Sequence, residues 1–153
     1  ANSSMRLSYG KVIGSKPSDG LISKHYTTLA GVMEKEDSDD NEFFVPEKLK
    51  YLYDKKDYGI YSDNWVMNVC FTTDNDATSG SAGSPVINAA GQIIGLVFYL
   101  NWKGMSCDMS VEPELQRTIN TDIRYVLFIV DKFAGAKYLV DEMTIINNNL
   151  SKK

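Results

Sequence analysis

The chain has 153 residues, of which 43% are hydrophobic and 11% aromatic, and its formal net charge is -4 with a pI near 5.0. This composition predicts a folded chain with one core rather than a disordered one. The acidic balance argues against nucleic acid as a partner, and no apolar run reaches the roughly 18 residues of a membrane-spanning helix. We therefore expect a single soluble domain over residues 1–153.

The first part of the chain combines strand patterns with an acidic loop. MRLSYGKVIG, from Met5, alternates apolar and polar residues and predicts a strand with Gly10 as a bulge, and a short strand is also predicted over 27–33. In EKEDSDDNE the acidic residues alternate as in a calcium loop, but Glu42 replaces the required glycine and Lys48 the required glutamate. We interpret this run as a solvated loop and expect no metal site.

The middle of the chain predicts one helix and one buried strand. Pro46 is suited to the first turn of a helix, in which Leu49, Leu52 and Tyr53 share one face. The apolar run over 65–71 predicts a buried strand.

The second half predicts a hairpin followed by helices. SPVINAAGQIIGLVFYL contains two apolar runs joined by a turn at 88–91. With Thr121 as its N-cap, DIRYVLFIVDKFAG predicts a buried helix that ends at Gly135, and a second helix is predicted over 136–143. The tail NNNLSKK is expected to fray. The pattern is that of a mainly β domain with C-terminal helices.

Two features bear on the origin of the chain. Cys70 and Cys107 lack metal-type spacing and are compatible either with a disulfide or with two buried thiols. The sequence begins at Ala1 without a methionine or a signal-peptide pattern, so we expect a processed protein or part of a longer chain.

The stretch TSGSAGSPVIN at 78–88 lies between two apolar runs and has the small residues of a nucleophile turn. In chymotrypsin-like peptidases, such a turn exposes a serine and directs N–H groups at the developing oxyanion. Here Ala82 occupies the nucleophile position, and the two N–H donors would be those of Gly80 and Ala82. Gly and Ser also mark ordinary loops, so the turn alone is weak evidence.

GLVFYLNW begins 13 residues after Ala82, where such enzymes have the strand that lines the specificity pocket. Phe98, Tyr99 and Leu100 are the candidate substrate-binding residues on this strand. By itself the pattern is equally that of a half-buried strand.

Together these stretches resemble the C-terminal part of bacterial serine dipeptidyl peptidases of the dipeptidyl-peptidase seven and eleven type. The resemblance is carried in order by ANSSMRLSYGKV, YTTLAGVMEKED, VPEKLK, GSAGSPVINAAGQIIGL, NW, DIRYVLFIVDKFAGAK and DEMTI. It implies a chymotrypsin-like double barrel capped by a helical domain, of which this chain would supply the second β-barrel and the C-terminal α-helices.

The resemblance also implies a function and partners. Such enzymes release dipeptides from peptide N-termini without a cofactor, so peptides are the expected ligands. The upstream barrel and helical domain of the parent chain are the expected partners, and the location would be the periplasm or the outer cell surface. Whether the chain forms a homodimer is left open.

The chain departs from the family pattern at three positions, two in the turn and one in the pocket strand. The family motif reads Gly-Asn-Ser-Gly-Ser-Pro, whereas here Ser81 replaces the asparagine and Ala82 the nucleophile. The family pocket strand usually reads Phe-Asp, whose aspartate helps to hold the substrate ammonium, and here Tyr99 replaces it. A neutral phenol cannot supply that charge-assisted hydrogen bond. Leu100, at the specificity position, argues against acidic substrates.

The triad histidine and aspartate lie upstream in the family and are absent from this sequence. The only histidine, His25, matches no family catalytic residue, and we interpret it as a surface or packing residue. Three hypotheses follow: a dipeptidyl peptidase segment silenced at its serine, a natural pseudopeptidase that binds peptides or acts as a scaffold, and a purely structural module. Under each of them the chain alone is expected to be inactive.

Overall fold

The structure is a computed structural model that describes residues 5–102, 104 and 112–146. Its main feature is a five-stranded antiparallel sheet in the order β3-β4-β7-β6-β5, beside a two-stranded hairpin β1-β2. The strands are β1 (Ser15–Ser18), β2 (Leu21–Ser23), β3 (Tyr26–Thr28), β4 (Asn68–Thr73), β5 (Pro85–Ile87), β6 (Ile93–Leu100) and β7 (Thr118–Asp122). The predicted mainly β class is confirmed.

Four short helices accompany the sheet: α1 (Leu29–Glu34), α2 (Glu47–Lys55), α3 (Ile123–Phe128) and α4 (Lys137–Asp141). A π-helical turn, Ile129–Phe133, continues α3, and Gly135 ends it with a left-handed φ of 72°. α2 begins directly after Pro46, as predicted, and the acidic residues 36–44 are exposed. No helix in the described ranges is long and apolar enough to cross a bilayer.

The core lies where the helices pack against one another and against the sheet. Its centre is Phe128, whose side chain is fully buried and meets the edge of the Tyr58 ring at a centroid distance of 5.9 Å. Tyr61 Oη donates to Asp131 Oδ2 at 2.8 Å, and burial together with that carboxylate raises the pKa of Tyr61 to about 12. The other buried members of this cluster are Leu29, Val45, Leu49, Leu52, Met67 and Val140.

The predicted hairpin is confirmed as β5 and β6, with its turn held by one asparagine. Asn88 Oδ1 accepts from the N–H of Ala90 at 2.9 Å and of Gln92 at 3.0 Å, and its Nδ2 donates to Gln92 Oε1 at 2.8 Å. Gly91 supplies the positive φ of 76° that the turn needs.

Three strand predictions were wrong in position. Residues 5–11 form no strand, because they have no partner strand in the described structure and only Val12 makes an isolated bridge, to Thr73. The strand predicted over 27–33 ends at Thr28, since α1 begins there, and the strand predicted over 65–71 begins at 68. Trp65 instead occupies a turn with φ 65° and is 70% exposed.

Thr121 was also wrongly predicted as the helix N-cap. It lies within β7, and Asp122 caps α3 by accepting from the N–H of Arg124 at 2.9 Å. The sequence TINTD gave no strand signal because its buried positions are polar. The helix is less buried than predicted, with only Phe128 of α3 inaccessible, and the second helix is confirmed as α4. The NNNLSKK tail lies beyond the described residues.

Asn120, at the centre of β7, has one satisfied and one unsatisfied polar atom in its buried side chain. Its side chain is fully buried, and Nδ2 donates to Thr73 Oγ1 at 2.9 Å, but Oδ1 has no hydrogen-bond donor in the described part of the chain. A buried unpaired acceptor costs about 1–3 kcal/mol.

Asn120→Val is therefore expected to raise the free energy of unfolding by about 1 kcal/mol, measured by urea denaturation. The control Asn120→Asp, which buries a charge, is expected to lower it; a lower urea midpoint for the valine variant would contradict this assignment.

Candidate functional site

The glycine-serine turn is a short 3-10 helix, Ser79–Ser81, with a reciprocal cap. The N–H of Ser81 donates to the carbonyl of Thr78 at 2.8 Å, while the N–H of Thr78 donates to Ser81 Oγ at 3.1 Å. The Thr78 side chain also accepts from the backbone of Ser81. Ser81, which replaces the asparagine of the family motif, thus closes the turn with its own hydroxyl.

Beyond the turn, the backbone is pinned to β6. Gly83 has a φ of 82°, which favours glycine, and its N–H donates to the carbonyl of Val97 at 2.8 Å. The N–H of Val97 donates in turn to the carbonyl of Ser84 at 2.9 Å. These two bonds place Ala82 against the strand predicted to line the pocket.

A small open pocket, about 70 Å³ in volume, lies at this junction and brings together most of the predicted site residues. Gly80 lies in the turn itself and is not part of the lining, and nothing lies within 4 Å of where its Cβ would be. The pocket is lined by Ala77, Thr78, Ala82, Val97, Phe98, Tyr99 and Leu100. Ala77, Thr78 and Val97 are lining residues that the sequence analysis had not assigned.

A β-bulge explains why four successive residues of β6 line one pocket. In a regular strand alternate side chains point to opposite faces. Here Val97 pairs with Asn120 but Tyr99 pairs with Ile119, so Phe98 is the extra residue of the bulge. A bulge re-aims the side chains beside it. Phe98 and Tyr99 remain 61% and 46% exposed, which leaves both available to a ligand.

The pocket is electrically neutral within the described structure. Among the described lining residues none is acidic or basic, and their polar side chains are the hydroxyl groups of Thr78 and Tyr99. This lining suits an apolar group, because a buried charge without a partner is costly.

His25 lies elsewhere, in a second and larger groove that does not share lining residues with the pocket. There the Arg124 guanidinium bridges the carboxylates of Asp122 and Asp63, which raises the pKa of Arg124. No motif in the sequence indicates this groove. The apolar residues around the ion pairs include Ile60, Phe71, Ile93, Ile123 and Ile145.

Of the two cysteines, Cys70 lies among the described residues. Cys70 is a free, half-buried thiol in β4, and its burial raises its pKa. Cys107 lies outside the described residues, so its pairing with Cys70 stays untested.

The antiparallel sheet and the glycine-serine turn beside a pocket agree with the serine-peptidase resemblance of the sequence. Residues 1–145 match the Peptidase S46 family, and the chain belongs to that family. The chain is 54% identical over 147 residues to dipeptidyl-peptidase 7 of Phocaeicola vulgatus, covering 95% of this chain and 20% of that protein. It is 47% identical over 147 residues to the Asp/Glu-specific dipeptidyl-peptidase of Flavobacterium psychrophilum, covering 96% and 21%.

A comparison with solved structures gives the same family. The crystal structure of Porphyromonas endodontalis DPP11 in complex with the dipeptide Arg-Glu matches with a TM-score of 0.86 at 48% identity, covering 88% of this chain and 20% of that one. The predicted resemblance is confirmed, and the chain spans about a fifth of the length of these relatives.

Proposed function

We propose that this chain is the C-terminal segment of a serine-type dipeptidyl peptidase whose nucleophile position holds Ala82, so that it is inactive as given. The observation that carries the proposal is the pocket, where Ala82 meets Phe98, Tyr99 and Leu100 in a member of a peptidase family. The geometry fits one role: the turn presents position 82, and the strand presents the surface against which a peptide would lie.

In an active parent, a hydroxyl at position 82 would attack the scissile carbonyl. The N–H groups of positions 80 and 82 would stabilise the oxyanion, and an upstream histidine, oriented by an upstream aspartate, would take up the proton of the hydroxyl. The methyl group of Ala82 cannot attack. Ser84 cannot replace it, because its N–H donates to Ser81 and its carbonyl accepts from Val97, which holds it beyond the turn.

The ligand class follows from the lining of the pocket. Because none of the described lining residues is cationic, an acidic side chain would enter without a partner, whereas Leu100 favours an apolar one. Tyr99 offers no carboxylate to a free peptide N-terminus. We therefore propose weak binding of peptides with an apolar second residue, in contrast to the acidic residues named for some relatives.

A natural pseudopeptidase is the second candidate function. Ala82 and Tyr99 both depart from the family pattern and both line the same pocket. Two such changes at one site favour a protein that retains peptide binding or a scaffolding role after loss of catalysis. The periplasm or the outer cell surface is proposed as its location, by resemblance to the family.

Peptide titration tests this proposal. The 153-residue chain is expected to cleave no fluorogenic dipeptidyl substrate above a mock preparation, and calorimetry is expected to show tighter binding of Gly-Phe than of Gly-Glu by about tenfold. Leu100→Arg is expected to reverse that preference by adding a cation to the pocket. Cleavage by the purified chain would contradict the inactive assignment, and equal affinities in both proteins would contradict the role of the pocket.

We also propose that residues 5–13 are covered by the upstream part of the parent chain. Met5, Leu7 and Tyr9 are 94%, 77% and 93% exposed, yet they alternate as in a half-buried strand. The N–H of Ile13 donates to the carbonyl of Thr72 at 3.1 Å and so fixes the segment beside β4. Because the chain spans a fifth of its relatives, the remaining polypeptide is the proposed partner.

This interface is tested with the upstream part of the Phocaeicola vulgatus relative, co-expressed with the chain. Leu7→Asp is expected to reduce co-purification at least tenfold, and the control Tyr51→Asp, the same kind of change at a 60% exposed side chain of α2, to leave it unchanged. If sedimentation instead shows a homodimer that Leu7→Asp dissociates, a second copy covers this surface and the proposal is wrong.

A further inference from the structure

Asn101, directly after β6, fastens the end of the pocket strand to the segment before β7. Its Nδ2 donates to the carbonyl of Leu115 at 2.7 Å, and its Oδ1 accepts from the N–H of Arg117 and of Gly104, both at 2.9 Å. Its own N–H donates to the carbonyl of Arg117 at 2.9 Å. One carboxamide therefore binds three backbone groups and ties together two segments that are separate in sequence, 101–104 and 115–117.

Arg117 reinforces this junction from within the protein. Its guanidinium group donates at 2.8 Å to the carbonyl of Gly14 and to that of Pro113, and at 2.9 Å to that of Glu114. The residue is only 7% exposed, and its charge faces carbonyl groups, with no carboxylate bound to it among the described residues. Such a buried cation holds several backbone carbonyls in one arrangement.

The junction reaches both walls of the pocket. On one side Asn101 follows Leu100, whose Cβ lies 3.2 Å from where a Cβ on Gly104 would be. On the other side the fully buried Thr118 donates from Oγ1 to the carbonyl of Asn75 at 2.8 Å, two residues before the lining residue Ala77. The start of β7 thus connects the wall that holds Leu100 to the wall that leads into the turn.

The bulge at Phe98 makes such an anchor necessary. It breaks the regular pairing of β6 just before Tyr99 and Leu100, and the last β6–β7 pair joins Leu100 to Thr118. Beyond the bulge β6 keeps two pairs with β7, Tyr99 with Ile119 and Leu100 with Thr118, before the strand ends. The three side-chain hydrogen bonds of Asn101 hold this strand end in addition to the backbone pairs.

We propose that Asn101 is a positioning residue for the pocket, supported by Arg117, and that it fixes how Tyr99 and Leu100 face a ligand. Asn101 touches no substrate itself. Only the statement that the ligand is a peptide rests on the proposed function, whereas the positioning role is a property of the free protein.

Methyl NMR of the labelled chain without ligand tests this role. The methyl groups of Ala82 and Leu100 report on the pocket, and those of Val140 report on the core. Asn101→Ala is expected to shift or broaden the pocket methyl signals and to leave Val140 unchanged. The matched control is Asn88→Ala, which also removes three side-chain hydrogen bonds from a turn, but at the far end of the hairpin.

Two milder variants keep the test decisive if Asn101→Ala does not fold. Asn101→Asp keeps the acceptor and loses the donor, so its pocket signals are expected to move less than those of the alanine variant. Gly104→Ala places a Cβ 3.0 Å from Asn101 Oδ1 but also 3.2 Å from Leu100 Cβ, so only the Ala82 methyl signal is read in this variant, and it is expected to move. Unmoved pocket methyl groups in these variants, or equal movement in Asn88→Ala, would overturn the proposal.

Peptide titration then separates this inference from the proposed function. Asn101→Ala is expected to weaken Gly-Phe binding about tenfold and Asn88→Ala to leave it unchanged. If the unmodified chain binds no peptide, the proposed function fails, while the methyl comparison still decides the role of Asn101.

Discussion

A chimera of the Phocaeicola vulgatus dipeptidyl-peptidase 7, carrying this chain in place of its matching C-terminal fifth, is expected to release no detectable dipeptide. The chimera would have the upstream residues but Ala82 at the nucleophile position, and loss of a catalytic serine costs on the order of a millionfold in kcat. Ala82→Ser is expected to restore only part of the activity. The pocket would still present Tyr99 to the substrate ammonium group.

Adding Tyr99→Asp to Ala82→Ser is expected to raise kcat/KM by a further factor of about 10–100, the value of a hydrogen bond between charged groups. The measurement is hydrolysis of fluorogenic dipeptidyl substrates, with circular dichroism to show that each chimera is folded. Tyr99→Asp alone serves as the control and is expected to remain inactive. Equal kcat/KM for the single and double variants would show that position 99 does not recognise the ammonium group.

Local features of the fold could be predicted because their signals are local. Pro46 begins a helix through its fixed φ, and the hairpin of β5 and β6 follows from two apolar runs around a glycine turn. β7 could not be predicted in this way. Its inward positions are Thr118, Asn120 and Asp122, which are buried through hydrogen bonds rather than through apolar packing.

The segment from Met5 illustrates the opposite error. Its alternation is a true strand pattern, but in the described structure its β-pairing is limited to the bridge from Val12 to Thr73, and the residues before Val12 contact residues 74–76 through single hydrogen bonds and one ion pair. A periodic pattern indicates which face of a strand is apolar, but it does not indicate which part of the protein packs against that face.

The candidate site also contains residues that could be predicted from the sequence and residues that could not. The turn at Ala82 and the strand through Leu100 could be located from the motif and its spacing, and the structure places them at one pocket. The residues that hold the turn and the strand in place could not be located from the sequence, because they act through contacts between distant parts of the chain. Arg117 binds the carbonyl of Gly14, which is 103 residues away in the sequence, and no local sequence pattern predicts such a contact.

Gly95→Ala is expected to have the largest effect on stability of any single methyl added to the sheet. Gly95 lies in β6, where a Cβ would stand 2.6 Å from the carbonyl oxygen of Thr121 and 2.8 Å from Phe71 Cε1. The carbonyl belongs to the neighbouring strand and cannot yield without separating β6 from β7. We expect a loss of about 3 kcal/mol in the free energy of unfolding, at the upper end of the cost of overpacking.

The matched control is the same substitution in open space. Gly31 lies inside α1 with no atom within 4 Å of its would-be Cβ, so Gly31→Ala is expected to stabilise the chain by about 0.5–1 kcal/mol through helix propensity. Urea denaturation of both variants measures the difference. Because β6 also carries Phe98, Tyr99 and Leu100, Gly95→Ala is expected to weaken peptide binding even where the chain remains folded. A Gly95→Ala variant as stable as the unmodified chain would mean that the two strands can separate without cost, and that β6 is not the rigid wall the pocket requires.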